Sequence, residues 1–253
     1  MCLVVLRWQP NSDYPLLLVA NRDEFRERPA EPMHWWASQE RSILAGKDLK
    51  AGGTWLAFND SGHFALLTNI RPGYVGTQGK LSRGELPLAF TRQRISIEAF
   101  HQSLVPNLAD YGGFNLLLGD GQRLFWFSSD HPEGQWLQPG IHSLSNHDLD
   151  TNWPKTVLAE QQMQRHASQL EQELDAPILT DTREAAPENL PATGVAQEVE
   201  RMLSAQTILA DHYGTRCRTL VRQRHDGLLS VREVQLGMQG QATLDQLFEI
   251  EPY

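Results

Sequence analysis

Cysteine is almost missing from this chain of 253 residues, which has two, Cys2 and Cys217. Lying near opposite ends, they provide no disulfide framework and point to a reducing, cytoplasmic setting. There is no Cys-x-x-Cys, His-Glu-x-x-His, Gly-x-x-x-x-Gly-Lys or Gly-x-Gly-x-x-Gly, so the common zinc, phosphate-loop and dinucleotide motifs are absent. The nine histidines are scattered. No metal and no cofactor is expected. Long apolar runs are missing too: the one after Cys2 stops at Arg7, and that from Leu16 to Ala20 is equally short. Neither a signal peptide nor a membrane span is expected. Positive charge is in deficit, with 22 basic against 31 acidic residues and a formal net charge of −9. That argues against a nucleic-acid partner, whose footprint is basic.

What is present is 40% hydrophobic and 21% charged, the composition of a globular chain able to bury a core. It reads as a series of hairpins. Leu3 to Leu6 and Leu16 to Ala20 are short strands around the turn cluster Gln9-Pro10-Asn11-Ser12-Asp13. Centring that turn near Asn11 sets Cys2 opposite about Ala20. Asn21-Arg22-Asp23-Glu24 then emerges beside Cys2, within about two residues, because turn length sets register. Thr54 to Phe58 and His63 to Thr68 flank a second turn, Asn59-Asp60-Ser61-Gly62. Gly52-Gly53 before it marks a bent or closely approached backbone. Phe114 to Leu118 and Leu124 to Phe127 make a third hairpin, Ile141 to Leu144 a further strand, and Thr215 to Val221 with Leu228 to Val234 a closing pair.

Helices are predicted from Ser82 to about Arg92, where Ser82 and Glu85 have capping-box spacing although Pro87 falls in the second turn. A second follows Ile97, Phe100, Leu104 and Leu108, broken late by Pro106. A third runs from Trp153 to about Leu174, and a fourth near Val195 to Ser204. Residues 175–194 carry prolines, threonines and acids without periodicity and read as an exposed loop. Hairpins, then helices, then hairpins, with no repeat and no linker, predict one α+β domain over residues 1–253 with mostly antiparallel sheet.

Chemistry is best sought at Cys2. Cells commonly trim an initiator methionine ahead of a small residue, and trimming here would give Cys2 a thiol and a free α-amine. With reference pKa values of roughly 8.5 and 7.7–8.0, the two exchange a proton at little cost. The amine then serves as base for the thiol and as acid for a leaving group. The plainer reading is a small apolar residue opening a buried strand. In Asn21-Arg22-Asp23-Glu24, Asp23 is suited to hold an ammonium, and Arg22 to stabilise thiolate or a substrate carboxylate. The plainer reading there is a solvated turn whose charges pair with Arg26, Glu27 and Arg28. Asn69 and Asn146 each end a short apolar strand, where a side-chain amide either donates to a developing oxyanion or satisfies its own turn. Asn115 is a further candidate for that role, but its apolar context favours a structural one.

These stretches together resemble a known family. Met-Cys at the start, Asn21-Arg22-Asp23-Glu24 followed by Arg28-Pro29, and Gly52-Gly53-Thr54-Trp55-Leu56 resemble the family named NRDE after its motif, whose eukaryotic members are known as transport and Golgi organisation protein 2. Thr68-Asn69-Ile70-Arg71, Ser82-Arg83-Gly84, Leu144-Ser145-Asn146, Trp153-Pro154-Lys155 and Tyr213-Gly214-Thr215-Arg216 extend the resemblance, in order, along nearly the whole chain. That family in turn resembles the cysteine branch of N-terminal nucleophile hydrolases, with its bile-salt hydrolases and penicillin V acylases.

The resemblance implies a four-layer αββα sandwich with the nucleophile at the start of a central strand. Cys2 would be nucleophile and base, Asp23 would position the amine, and Arg22 would tune thiolate or substrate. Asn69 and Asn146 would line an oxyanion hole. Arg216 would close the polar network, a role for which Arg218 competes. One departure stands out: in the bile-salt hydrolase branch the arginine and aspartate of this loop are separated, whereas Arg22 and Asp23 are adjacent. The implied activity is hydrolysis or acyl transfer at a linear amide or thioester through an acyl-Cys2 intermediate. The alternative is a non-catalytic carrier of haem or acyl-lipid and coenzyme A ligands; for either reading, Trp35, Trp36, Trp55 and Trp153 are expected to line an apolar cleft. Either way the partner is a small molecule, and the oligomeric state is left open.

Overall fold

Alternation along the first hairpin decides how the layers stack. The computed structural model describes residues 2–36, 43–71 and 79–251, with Cys2 described by its backbone alone. The hairpin consists of β1 (Cys2–Trp8) and β2 (Leu16–Phe25). Next come β3 (Ala30–Trp36), β4 (Ile43–Asp48), β5 (Leu56–Asn59) and β6 (Phe64–Asn69). Helices α1 (Glu85–Gln93) and α2 (Ile97–Leu104) precede β7 (Phe114–Gly119), β8 (Leu124–Ser128), β9 (Gln135–Trp136) and β10 (Gly140–Leu144). Helices α3 (Pro154–Glu173) and α4 (Gln197–Met202) lead to β11 (Tyr213–Gln223), β12 (Leu229–Leu236) and β13 (Ala242–Ile250).

Two antiparallel sheets result, ordered β10-β1-β2-β11-β12-β13 and β3-β4-β5-β6-β7-β8-β9. Val4, Leu6, Leu16 and Leu18 pack from the first sheet onto Leu56, Phe58, Leu66 and Leu117 of the second. Leu3, Val5, Leu17 and Val19, one residue out of phase, pack onto Ala159, Met163 and Leu170 of α3. On the far side of the second sheet, Ala65, Leu116 and Phe127 lie under Phe90 of α1 and Phe100 of α2. The order is helix, sheet, sheet, helix: the expected αββα stack, α+β and mostly antiparallel. Covered on both faces, β1 and β2 show continuous apolar runs rather than alternation. Each such side chain, fully buried, stabilises the fold by about 1.5–3 kcal/mol.

Several boundaries differ from the sequence reading. β3, β4, β9 and β13 were not anticipated. Ser82 does not cap α1: the cap position is Gly84, and Ser82 contributes only its carbonyl, accepting from Glu85 N at 3.1 Å. The later start puts Pro87 in the first turn, where an N–H has no intrahelical partner to lose. Residues 175–194 are not uniformly exposed, since Ala176, Ile178 and Leu179 are buried with the face of the first sheet that packs on α3. Among the described residues, no helix is long and apolar enough to cross a membrane.

Candidate active site

β2 is central to the first sheet, and Arg22 lies two residues beyond the end of its apolar run at Ala20. On one side Arg22 pairs with Cys2 of β1, two residues beyond the anticipated Ala20; on the other it pairs with Cys217 of β11. Two strand spacings put the Cα atoms of the two cysteines roughly 9–10 Å apart, beyond the ~7 Å limit for a disulfide. The α-amine expected on Cys2 after loss of Met1 lies outside the described residues.

Asn21, Arg22 and Asp23 are not a solvated turn. They continue β2 and are buried. The Arg22 guanidinium lies 4.2 Å from the centroid of the Trp55 ring, a cation–π contact, and donates to Asp48 Oδ2 at 3.3 Å. Arg28 donates to both oxygens of Asp48, at 2.5 and 3.1 Å. The Asp48 carboxyl also accepts the backbone N–H groups of Lys50 and Ala51. Burial alone would raise its pKa, but the Arg28 hydrogen bond, the Ala51 N–H and the charges of Arg28 and Arg22 outweigh burial and hold it below the usual carboxylate value.

Asp23 shows the opposite balance. Burial pushes its carboxyl above the ordinary value, against the opposing charge of Lys155 and the hydrogen bond from Thr215. Thr215 Oγ1 donates to Asp23 Oδ1 at 2.7 Å, and the Tyr213 hydroxyl donates to the Asp23 carbonyl at 2.9 Å. The pairing of β11 with β2 shifts register between Thr215 and Cys217. This bulge leaves Arg216 as the extra residue. Arg216 donates to the carbonyls of Phe25, Arg26 and Arg28, stapling the turn after β2. Arg218 belongs to the layer facing α3, donating to Asn21 Oδ1, the Leu179 carbonyl and Thr207 Oγ1. Neither arginine lines the cavity described next.

A cavity of about 500 Å³ opens beside Arg22 and Asp23 and is walled by Trp55, Asn69, Thr54, Asp48 and the segment 79–84. Asn69 contributes to the wall, while Asn146 stands behind it, donating Nδ2–H to the Asn69 carbonyl at 2.8 Å. Behind Asp23, Lys155 is buried and donates to the Leu203 carbonyl, and Arg71 pairs with Glu200 at 2.7 Å. Of the tryptophans expected to line an apolar cleft, Trp55 alone borders this cavity, whose wall is mostly polar. Trp153 instead stacks under Arg71, with the guanidinium 5.1 Å from its centroid. Asn115 is structural, as expected: it donates to Thr68 Oγ1 and the His147 carbonyl and accepts from Trp126 Nε1.

Sequence reasoning missed Asp48, Thr215 and Glu233. Glu233 is buried on β12, where Oε1 accepts Met33 N–H and Gln235 Nε2–H, each at 2.6 Å. Burial raises its pKa, against hydrogen bonds from Met33, Gln235 and the Cys217 thiol and the charge of Arg22. One signal did foretell the cavity's construction. Gly52 has φ of +76°, and a Cβ on Gly53 would lie 2.4 Å from the backbone carbon of Gly84, so the glycine pair both turns and admits a neighbouring chain.

Comparison with known proteins adds a family. A family model described as Transport and Golgi organisation 2 matches residues 1–237. The chain is 28% identical over 256 residues to the Transport and Golgi organization protein 2 homolog of Homo sapiens, and 29% identical over 259 residues to that of Bos taurus, covering 92% of each chain in both cases. Two crystal structures of conjugated bile acid hydrolase from Clostridium perfringens are also similar. The first has 8% identity and a TM-score of 0.44 over 98% of this chain and 96% of that one. The second has 7% identity and a TM-score of 0.46 over 99% and 98%. Neither likeness carries a residue role or an activity across.

Proposed function

The chain belongs to the Transport and Golgi organisation 2 family, and from that premise we propose that it is a cysteine hydrolase or acyltransferase acting on a linear amide or thioester. Its nucleophile is Cys2, freed by loss of Met1. The α-amine takes the thiol proton, and the thiolate attacks the substrate carbonyl, forming a C–S bond. The C–N or C–S bond to the leaving group then breaks, and the ammonium returns the proton to that group. Water, or another acceptor, deprotonated by the same amine, attacks the acyl-Cys2 thioester and releases the acyl group.

The observation that carries this reading is the strand register. Cys2 is paired with Arg22, and Arg22 and Asp23 both border the cavity. Asp23, held by Thr215, would orient the ammonium, and Arg22, held by Asp48, would favour the thiolate. Asn69 would offer its side-chain amide to the oxyanion, with Asn146 acting through it by fixing its backbone. Arg216 would serve by stapling the turn that follows these residues.

The test is a screen of acyl amides and thioesters with the parent chain and Cys2→Ala. Turnover by the parent and a loss of roughly a thousandfold or more in the variant are expected, as for removal of a covalent nucleophile. Haem or acyl-coenzyme A binding that survives Cys2→Ala, with no compound turned over by the parent, would replace this reading with the carrier.

A further inference from the structure

The chain carries a net charge of −9, yet among the described residues its cavity is lined by five cationic side chains against three carboxylates. A cleft of one sign concentrates ligands of the other. Most of the positive charge is already committed. Arg22 and Arg28 pair with Asp48, and Lys80 pairs with Asp110. Lys50 and Arg83 remain: neither forms a direct ion pair among the described residues, and Arg83 feels the carboxylate of Glu24 on the same wall only at longer range.

Arg83 is also held in place before any ligand arrives. Its Nη1 donates to the Gly113 carbonyl at 2.7 Å, while the backbone beside it is locked by the close approach of Gly84 to Gly53 and by Thr54 N–H donating to the Gly84 carbonyl at 2.9 Å. The other guanidinium nitrogens have no hydrogen-bond partner among the described residues. A half-buried guanidinium fixed by one arm, with the rest of its fork unused on a cavity wall, suits an oxyanion, which it can grip without first losing much side-chain freedom. Lys50, in the turn after β4, adds a second positive charge to the same wall.

We infer that Arg83, seconded by Lys50, forms an anion subsite in the cavity, and that the substrate is an acyl compound bearing a carboxylate or phosphate. The substrate class rests on the hydrolase reading; the anion subsite does not. Calorimetric titration of the Cys2→Ala chain separates the two, using hexanamide, adipic acid monoamide and the corresponding ω-phosphono amide. Both anionic amides are expected to bind roughly tenfold or more tightly than hexanamide, the least that a hydrogen bond to a charged group provides. Whichever anion binds more tightly identifies the group the site is built for. Arg83→Gln should abolish the preference and Arg83→Lys should keep part of it, with both variants melting near the parent temperature. Equal affinity for the three amides, no binding of the anionic pair, or a preference that survives Arg83→Gln or is lost equally in Arg83→Lys would overturn the inference. A preference that behaves as expected while the parent chain turns over none of the three would leave the subsite standing and count against the hydrolase reading.

Discussion

Residues 16–20 and 21–23 of β2 are about equally buried and chemically opposite. From Leu16 to Ala20 the side chains are apolar and fill the layers above and below the sheet; Asn21, Arg22 and Asp23 are then just as buried but polar or charged. The first stretch stabilises by removing hydrocarbon from water. The second carries a desolvation cost of several kcal/mol for each ion, offset only where partners are well placed. Those partners are present. Asn21 donates to the carbonyls of Leu179 and Gln206, Arg22 has Asp48 and Trp55, and Asp23 has Thr215. A fold built for stability alone would continue the apolar run. Arg22 and Asp23 stand beside the cavity, and the proposed function puts them to use there.

Asp48→Asn should break this contrast most severely. It removes the carboxylate that Arg22 and Arg28 share, and a loss of about 3–5 kcal/mol in urea denaturation is expected, the range for an uncompensated buried charge. Thr215→Val keeps the shape of the side chain but removes the hydroxyl that donates to Asp23. About 1–3 kcal/mol should be lost by the same measurement. The Asp23 pKa should rise further, by infrared titration of its carboxyl.

Glu233→Gln gives the smallest effect and tests the sign. Burial raises the folded pKa of Glu233 above its unfolded value, so the carboxyl's contribution to stability is fully present below the unfolded value and is lost as pH rises through the folded one. Glutamine does not titrate. The melting temperature of Glu233→Gln should therefore gain on the parent as pH rises through that window. A difference constant with pH would show that Glu233 has no raised pKa.

Much of the layering was legible because it is written in side-chain period. The α3 helix, the Ile97–Leu104 helix and four hairpins follow from local pattern. The end of β2 was less legible, because the apolar signal stops at Ala20 while the backbone pairing runs on through Phe25. Polar residues continue a strand there only because distant side chains satisfy them, and nothing local announces those partners. Asp48 was hidden for the same reason, at the end of a short strand whose role depends on Arg22 and Arg28. The difference between Arg216 and Arg218 depends on a bulge that reverses alternation within β11, a feature of pairing rather than of composition. For Cys2, Asn69 and Asn146 residue chemistry and strand-end position offered a catalytic role beside a plainer one, and the resemblance tipped the balance.

Intact and peptide mass analysis after brief exposure of the purified chain to a limiting thiol alkylator at neutral pH bears most directly on Cys2 as an armed nucleophile. The expected result is loss of one methionine and a single fast adduct on Cys2, with Cys217, only 1% exposed, unmodified. Retained methionine with a slow Cys2, or labelling of Cys217 in preference, would contradict it.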